Sequence, residues 1–227
     1  MQLYIGNKNY SSWSLRPWLL MRHSGIDFDE VKLRLDFDPA SPFKQQLAQI
    51  TPAGRVPVLV DDGFAVWDTL AIAEYLADKF PGKVLWPADR LARARARSLC
   101  AEMHASFMAL RSCFGMNIEA SLPEVGERLL RERADARADL ARIVQMWSGQ
   151  LRDAGGPFLF GSFSIADAYF APVCWRIRVY ALPVPTDVQR YVDQMLALPA
   201  MQEWTQAALA EHDFVVDDEP YRSAPDW

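Results

Sequence analysis

Ser11, Ser12 and Ser14 fall within four positions of one another, where a polar loop gives way to an apolar run, and their type and spacing could do chemistry. A serine O–H at the start of a helix can donate to a sulfur and favour the thiolate over the thiol. The positive potential of a helix N-terminus works in the same direction, taking a thiol below its ordinary value of ~8.5. Serine is also a common helix cap, so a structural role fits Ser11 and Ser12 too. Cys100, Cys113 and Cys174 form no CxxC pair and no Cys/His cluster, so neither a metal site nor a disulfide framework is expected.

These hydroxyls need a strand and a helix to hold them. Leu3, Tyr4 and Ile5, ended by Gly6, predict a buried strand, and residues 7–12 a loop. A helix follows, with Pro17 in its first turn, Trp18, Leu19, Leu20 and Met21 supplying a buried side, and Gly25 stopping it. Val31, Leu33 and Leu35 alternate with Lys32 and Arg34, the period of a half-buried strand. A short helix over 43–49 precedes strands over 56–61 and 64–67, joined at Asp62-Gly63 by a tight hairpin turn. Apolar spacing then predicts a helix over 69–80, terminated by Pro81-Gly82. The order is β-α-β-α-β-β-α across a first domain, residues 1–82, with 83–87 as linker. Residues 88–227 form an all-α second domain, with helical periods over 91–117, 123–154, 164–179, 187–196 and 199–212. The acidic, proline-containing stretch 213–227 is expected to be a surface tail.

Composition narrows the partners. Apolar residues at 51% and charged residues at 23% are the balance of a folded chain. A net charge of -5 and a pI near 5.3 argue against nucleic acid, which demands clustered cations. The basic run 90–97 is interleaved with Leu and Ala at helical spacing, the pattern of a solvated helix face. No apolar run approaches membrane-spanning length and the N-terminus lacks a charged head followed by an apolar stretch, so a cytoplasmic location and no membrane partner are expected.

Four segments, in order along the chain, together resemble the glutathione S-transferase superfamily. Ser11-Ser12-Trp13-Ser14 lies where thioredoxin-like proteins place a CxxC pair, and is similar to the serine-using zeta and theta classes. Counting back from Gly25-Ile26 puts their catalytic serine at Ser11, with Ser12 as the alternative; Asn7 falls where the tyrosine-using classes carry their phenol. Gly54-Arg55-Val56-Pro57-Val58-Leu59 resembles the segment in which a cis-proline exposes the preceding backbone, implying that Val56 and Pro57 hold the cysteinyl part of glutathione. Arg55 could reach a glutathione carboxylate or face solvent. Asp68-Thr69, before Leu70-Ala71-Ile72-Ala73-Glu74-Tyr75-Leu76, is close to the family's acid-Ser/Thr pair. That pair implies Asp68 on the γ-glutamyl ammonium and Thr69 on its carboxylate, and a helix cap fits the same residues. Ser164 and Asp167, in a segment resembling the family's GxxxSxAD element, have the spacing of a capping box.

The resemblance implies a homodimer using glutathione as cosubstrate and a small electrophile as second substrate. The electrophile pocket is expected along one helix, at Phe107, Arg111 and Phe114, with Trp13 as a wall; Met and aromatic residues at this spacing also fit a core. Arg111 and Asn117 suggest a polar or anionic group on the electrophile, and His104 a structural role. Conjugation is the leading reaction. A glutathione-dependent isomerase or dehalogenase would use the same thiolate, although zeta isomerases read Ser-Ser-Cys where this chain has Ser11-Ser12-Trp13. A non-catalytic binding module on the same fold is the remaining alternative.

Overall fold

The computed structural model describes residues 1–225. β1 (Gln2–Ile5), α1 (Ser12–His23), β2 (Asp29–Lys32), α2 (Pro42–Ala48), β3 (Val58–Asp61), β4 (Phe64–Val66) and α3 (Thr69–Lys79) follow in the expected order. They form a four-stranded sheet ordered β2-β1-β3-β4, with β1 parallel to β2 and antiparallel to β3. The α1 crossover is what lets β1 and β2 run parallel. At the β3–β4 hairpin, Asp62 and Gly63 both take positive φ, 48° and 82°, as a two-residue turn matched to strand twist requires.

Period-two alternation splits the sheet's contacts. Leu3, Ile5 and Leu59 face the main core, where Leu15, Trp18 and Leu19 of α1 and Ile72 and Leu76 of α3 pack. Tyr4 and Val58 face the other way, into a smaller cluster with Phe43 and Leu47 of α2. The second strand ends earlier than its alternating pattern suggests. β1 stops at Ile5, so beyond Leu33, whose N–H donates to the Ile5 carbonyl at 2.8 Å, no ladder remains. The Leu35 N–H donates instead to the Asn7 side-chain oxygen at 2.7 Å, while Leu33 and Leu35 stay buried.

The rest of the described chain is helical: α4 (Arg90–Ala105), α5 (Met108–Cys113), α6 (Pro123–Glu132), α7 (Ala134–Ala154), α8 (Ile165–Val179), α9 (Thr186–Leu196) and α10 (Pro199–Leu209). α1 packs against α8 and α10 as well as α3, which ties the sheet to this bundle through one continuous core. Two long helical periods prove to be broken. The first breaks at Ser106 and Phe107, where Phe107 adopts φ 61° and buries its ring; the Leu110 N–H then donates to Asp139 Oδ2 of α7 at 3.0 Å. The second breaks at Arg133, which leaves helical geometry at φ -112°, ψ 94°. Among the described residues no helix is long and apolar enough to cross a membrane.

Gly126 of α6 lies directly against Tyr180, and a Cβ there would run into the Tyr180 carbonyl oxygen. Because backbone has to move, Gly126→Ala should lower stability by about 1–3 kcal/mol, read as a shifted denaturant midpoint. An unchanged midpoint would mean that α6 does not dock here.

The acidic C-terminal stretch is not a loose surface tail. Glu219 is buried and accepts from the Tyr10 hydroxyl at 2.6 Å and from Asn117 Nδ2 at 2.8 Å, and Arg222 pairs with both Glu119 and Glu219. Asp213 accepts from Asn7 Nδ2 at 2.8 Å and from Arg34 Nε at 2.9 Å. Specific donors on both the sheet domain and the helical bundle give these carboxylates fixed places. Asp226 and Trp227 of the expected tail lie outside the described residues.

Candidate active site

The N-terminus of α1 opens on a cavity of about 580 Å³, within the range of small-molecule sites. Ser11, Ser12 and Trp13 form one wall, Arg55 and Val56 another, and Arg111 of α5 and Arg176 of α8 close the side toward the helical bundle. Sequence-distant residues therefore meet here because α1 is clamped between sheet and bundle.

Ser11 stands at the N-cap position of α1, yet its side chain makes no capping bond. Its hydroxyl donates to Ser14 Oγ at 2.7 Å, and Ser14 Oγ also accepts the Gly6 N–H at 3.1 Å. The pair of serines is thus anchored to the end of β1, with Ser14 fully buried and Ser11 on the cavity. Ser12, the first residue of α1, accepts from Arg176 Nη2 at 3.5 Å. Asn7, at the position equivalent to the phenol of other classes, is fully buried in the hydrogen bonds already described.

Two arginines flank Trp13. The guanidinium carbons of Arg16 and Arg111 lie 4.1 and 4.6 Å from its ring centre, and the Arg16 Nε–H donates to the Tyr169 carbonyl at 2.9 Å. Burial pushes Arg16 down to about 10 and Arg176 to about 9, with the other two arginines adding to the effect on Arg176. Both Arg16 and Arg176 remain cationic at neutral pH. With Lys44 and Arg55 on the same cavity, Asp218 is the one carboxylate on its described wall, and burial followed by Asp217 and Glu219 pushes that carboxyl up to about 6.

The Val56–Pro57 peptide is cis and Val56 lines the cavity, while Pro57 lies behind it. Asp68 and Thr69 are not on this wall. Asp68 caps α3, its Oδ1 accepting the Leu70 N–H at 2.8 Å, and the buried Thr69 hydroxyl is bonded to the Tyr169 hydroxyl at 2.8 Å. His104 links them to the cavity: Nδ1 is 2.8 Å from the Tyr169 hydroxyl, Nε2 is 3.4 Å from Asp68 Oδ2, and its ring packs edge-on to Trp13.

Two expected pocket residues lie elsewhere. Phe114 is fully buried against Tyr180, and Phe107 is buried at the helix break, because the break turns both rings into the core. Asn117 is likewise committed, to Asn9 and Glu219. Conversely, Tyr10, Asp218 and Arg176 line the cavity although no sequence motif marks them. The signal for Arg176 was a cation, one of two with Arg178, within the otherwise apolar run from Phe170 to Val179. Among the described residues no group of His, Cys, Asp and Glu could hold a metal ion.

Comparison with known proteins places these features. Residues 10–79 match the family model described as glutathione S-transferase, N-terminal domain, and residues 117–207 that of the glutathione S-transferase C-terminal domain. A maleylacetoacetate isomerase of Pseudomonas aeruginosa is 26% identical over 89% of this chain and 94% of its own. A stringent starvation protein A homolog of Coxiella burnetii is 24% identical over 94% and 93%. A glutathione transferase homolog from Burkholderia gl BGR1, solved with bound glutathione, superposes with a TM-score of 0.68 at 27% identity, covering 92% of this chain and 98% of that one. With both family models matched in order on a four-stranded sheet domain and a helical bundle, the chain belongs to the glutathione S-transferase superfamily.

Proposed function

We propose that this protein binds glutathione and transfers its thiolate to a small electrophile, with Ser11 stabilising the sulfur anion. The observation that carries this is a hydroxyl at the mouth of a helix N-terminus, anchored through Ser14 to Gly6 and facing a cavity rich in cations. Rotating both hydroxyls lets Ser14 donate to Ser11 and frees the Ser11 proton for sulfur, with no change in backbone. The helix N-terminus and the nearby guanidinium groups favour the same anion, so the thiol ionises more readily and attacks an electrophile held beside it.

Val56, half-buried on the cavity wall ahead of a cis-proline, suits backbone pairing with the cysteinyl part, and Arg55 a carboxylate of the tripeptide. Asp68 and the Thr69 N–H at the α3 N-terminus suit the γ-glutamyl end, one residue shell away across His104 and Trp13. The homolog solved with glutathione supports this reading. Calorimetric titration with glutathione should give saturable heat, followed by conjugate formation with an activated aryl halide. Absence of heat would favour a binding module instead.

The isomerase of P. aeruginosa favours a second reading, in which the same thiolate adds to an unsaturated substrate and is expelled after rotation. Mass analysis separates the two: conjugation adds the mass of glutathione to product, whereas isomerisation leaves product mass equal to substrate mass. Exposed Phe64 and Trp67 near α3 and Leu91 on α4 offer an apolar face for a homodimer. A molecular mass in solution of twice the chain is expected, and a monomeric mass would rule it out.

A further inference from the structure

Arg176 is costly where it stands. It is 4% exposed on a helix whose other buried residues are nearly all apolar, and its Nε and Nη1 have no hydrogen-bond partner among the described residues. Its Nη2 makes a long contact, 3.5 Å, to Ser12 Oγ. Among the described residues no carboxylate acts on Arg176 or Arg111, and Asp68 acts on Arg16 only at a distance; Arg111 donates to the His104 carbonyl at 3.3 Å, and Asp218 is held up near 6 by burial and its acidic neighbours. Burying an unmatched guanidinium costs several kcal/mol, and a fold that tolerates this gains nothing in packing that a methionine would not supply.

We infer that the second-substrate side of the cavity is a built anion subsite, in which Arg176, assisted by Arg111 beside Trp13, holds a carboxylate carried by the electrophile. A carboxylate that displaces the weak Ser12 contact can take a charge-assisted hydrogen bond from Nη2. Ser12 adjoins Ser11, which places that carboxylate a few bonds from a sulfur held at Ser11. Arg111, also on the cavity, adds charge from the side nearer solvent. The pocket would then select anionic electrophiles over neutral ones of equal shape. This inference rests on the glutathione reading above.

The test compares S-carboxymethylglutathione with S-carbamoylmethylglutathione, which differ at one terminal group, by calorimetry with glutathione as reference. Wild type should bind the carboxymethyl compound about tenfold or more tightly than the carbamoylmethyl compound, and added salt should shrink the ratio. Arg176→Met should bring the ratio close to one while holding or raising the melting temperature, since the charge it removes is unmatched. A purely structural arginine would instead lower the melting temperature and leave the ratio intact. If Arg176→Met does not fold, Arg111→Met, on a half-exposed side chain, must reduce the ratio. Equal binding of both compounds to a wild type that binds glutathione overturns the inference and leaves the glutathione reading standing. Failure to bind glutathione itself overturns both.

Discussion

Replacing Ser11 by alanine should lower turnover roughly 10- to 150-fold while changing glutathione affinity only several-fold. That range corresponds to a hydrogen bond to a charged group, about 1.5–3 kcal/mol, made to the sulfur anion and therefore felt mainly in reactivity. The backbone around it should survive, because Ser11 makes no cap bond and Ser14 keeps its own anchor on the Gly6 N–H. Ser12→Ala is the control. Ser12 is the first residue of α1 and accepts from Arg176, so its loss should disturb turnover less. If Ser11→Ala turns over like wild type and Ser12→Ala does not, the role belongs to Ser12.

The largest stability effect is expected at Asp167. Its carboxylate is fully buried and accepts four donors: the Leu159 N–H at 3.0 Å, the Ser164 N–H at 2.9 Å, the Ser164 hydroxyl at 3.1 Å and the Tyr191 hydroxyl at 3.1 Å. Burial pushes the carboxyl up to about 6, and these donors, pulling the other way, keep it ionised at neutral pH. Asp167→Ala strands them together, so about 3–5 kcal/mol should be lost, a large part of the 5–15 kcal/mol typical of a folded domain. Denaturant unfolding reads this as a strongly lowered midpoint. A loss near 1 kcal/mol, as for a simple exposed cap, would show that Leu159 and Tyr191 find other partners. Residual soluble protein should keep its glutathione affinity, since Asp167 lies away from the cavity.

What was legible in the sequence was whatever is decided locally. Asp62-Gly63 specifies its turn because the residues themselves tolerate positive φ, and Ser164 with Asp167 announces a capping box by spacing alone. The start of α1 beside Ser11 followed from strand and helix patterns, whereas the place of Val56 at the same cavity was implied by the resemblance to the superfamily. What was hidden depends on distant partners. No glycine or proline marks the break at Ser106 and Phe107; it becomes favourable because Asp139, on another helix, accepts the Leu110 N–H and because the Phe107 ring finds the core. The acidic stretch after Asp213 reads as solvated until Tyr10, Asn117 and Arg34 supply donors. Phe114 fitted a pocket helix by spacing, yet the break points it at Tyr180. Arg176 was visible as a cation in an apolar run, but its burial and its neighbours on α1 could not be read from α8 alone.

The most direct measurement is the ionisation of glutathione bound to this protein, followed through the ultraviolet absorbance of its thiolate as pH is varied. In wild type the sulfur should titrate well below the ~8.5 of an ordinary thiol, and in Ser11→Ala it should move back toward that value. A bound sulfur that titrates as it does free in solution, or one whose titration ignores both Ser11→Ala and Ser12→Ala, would contradict the account.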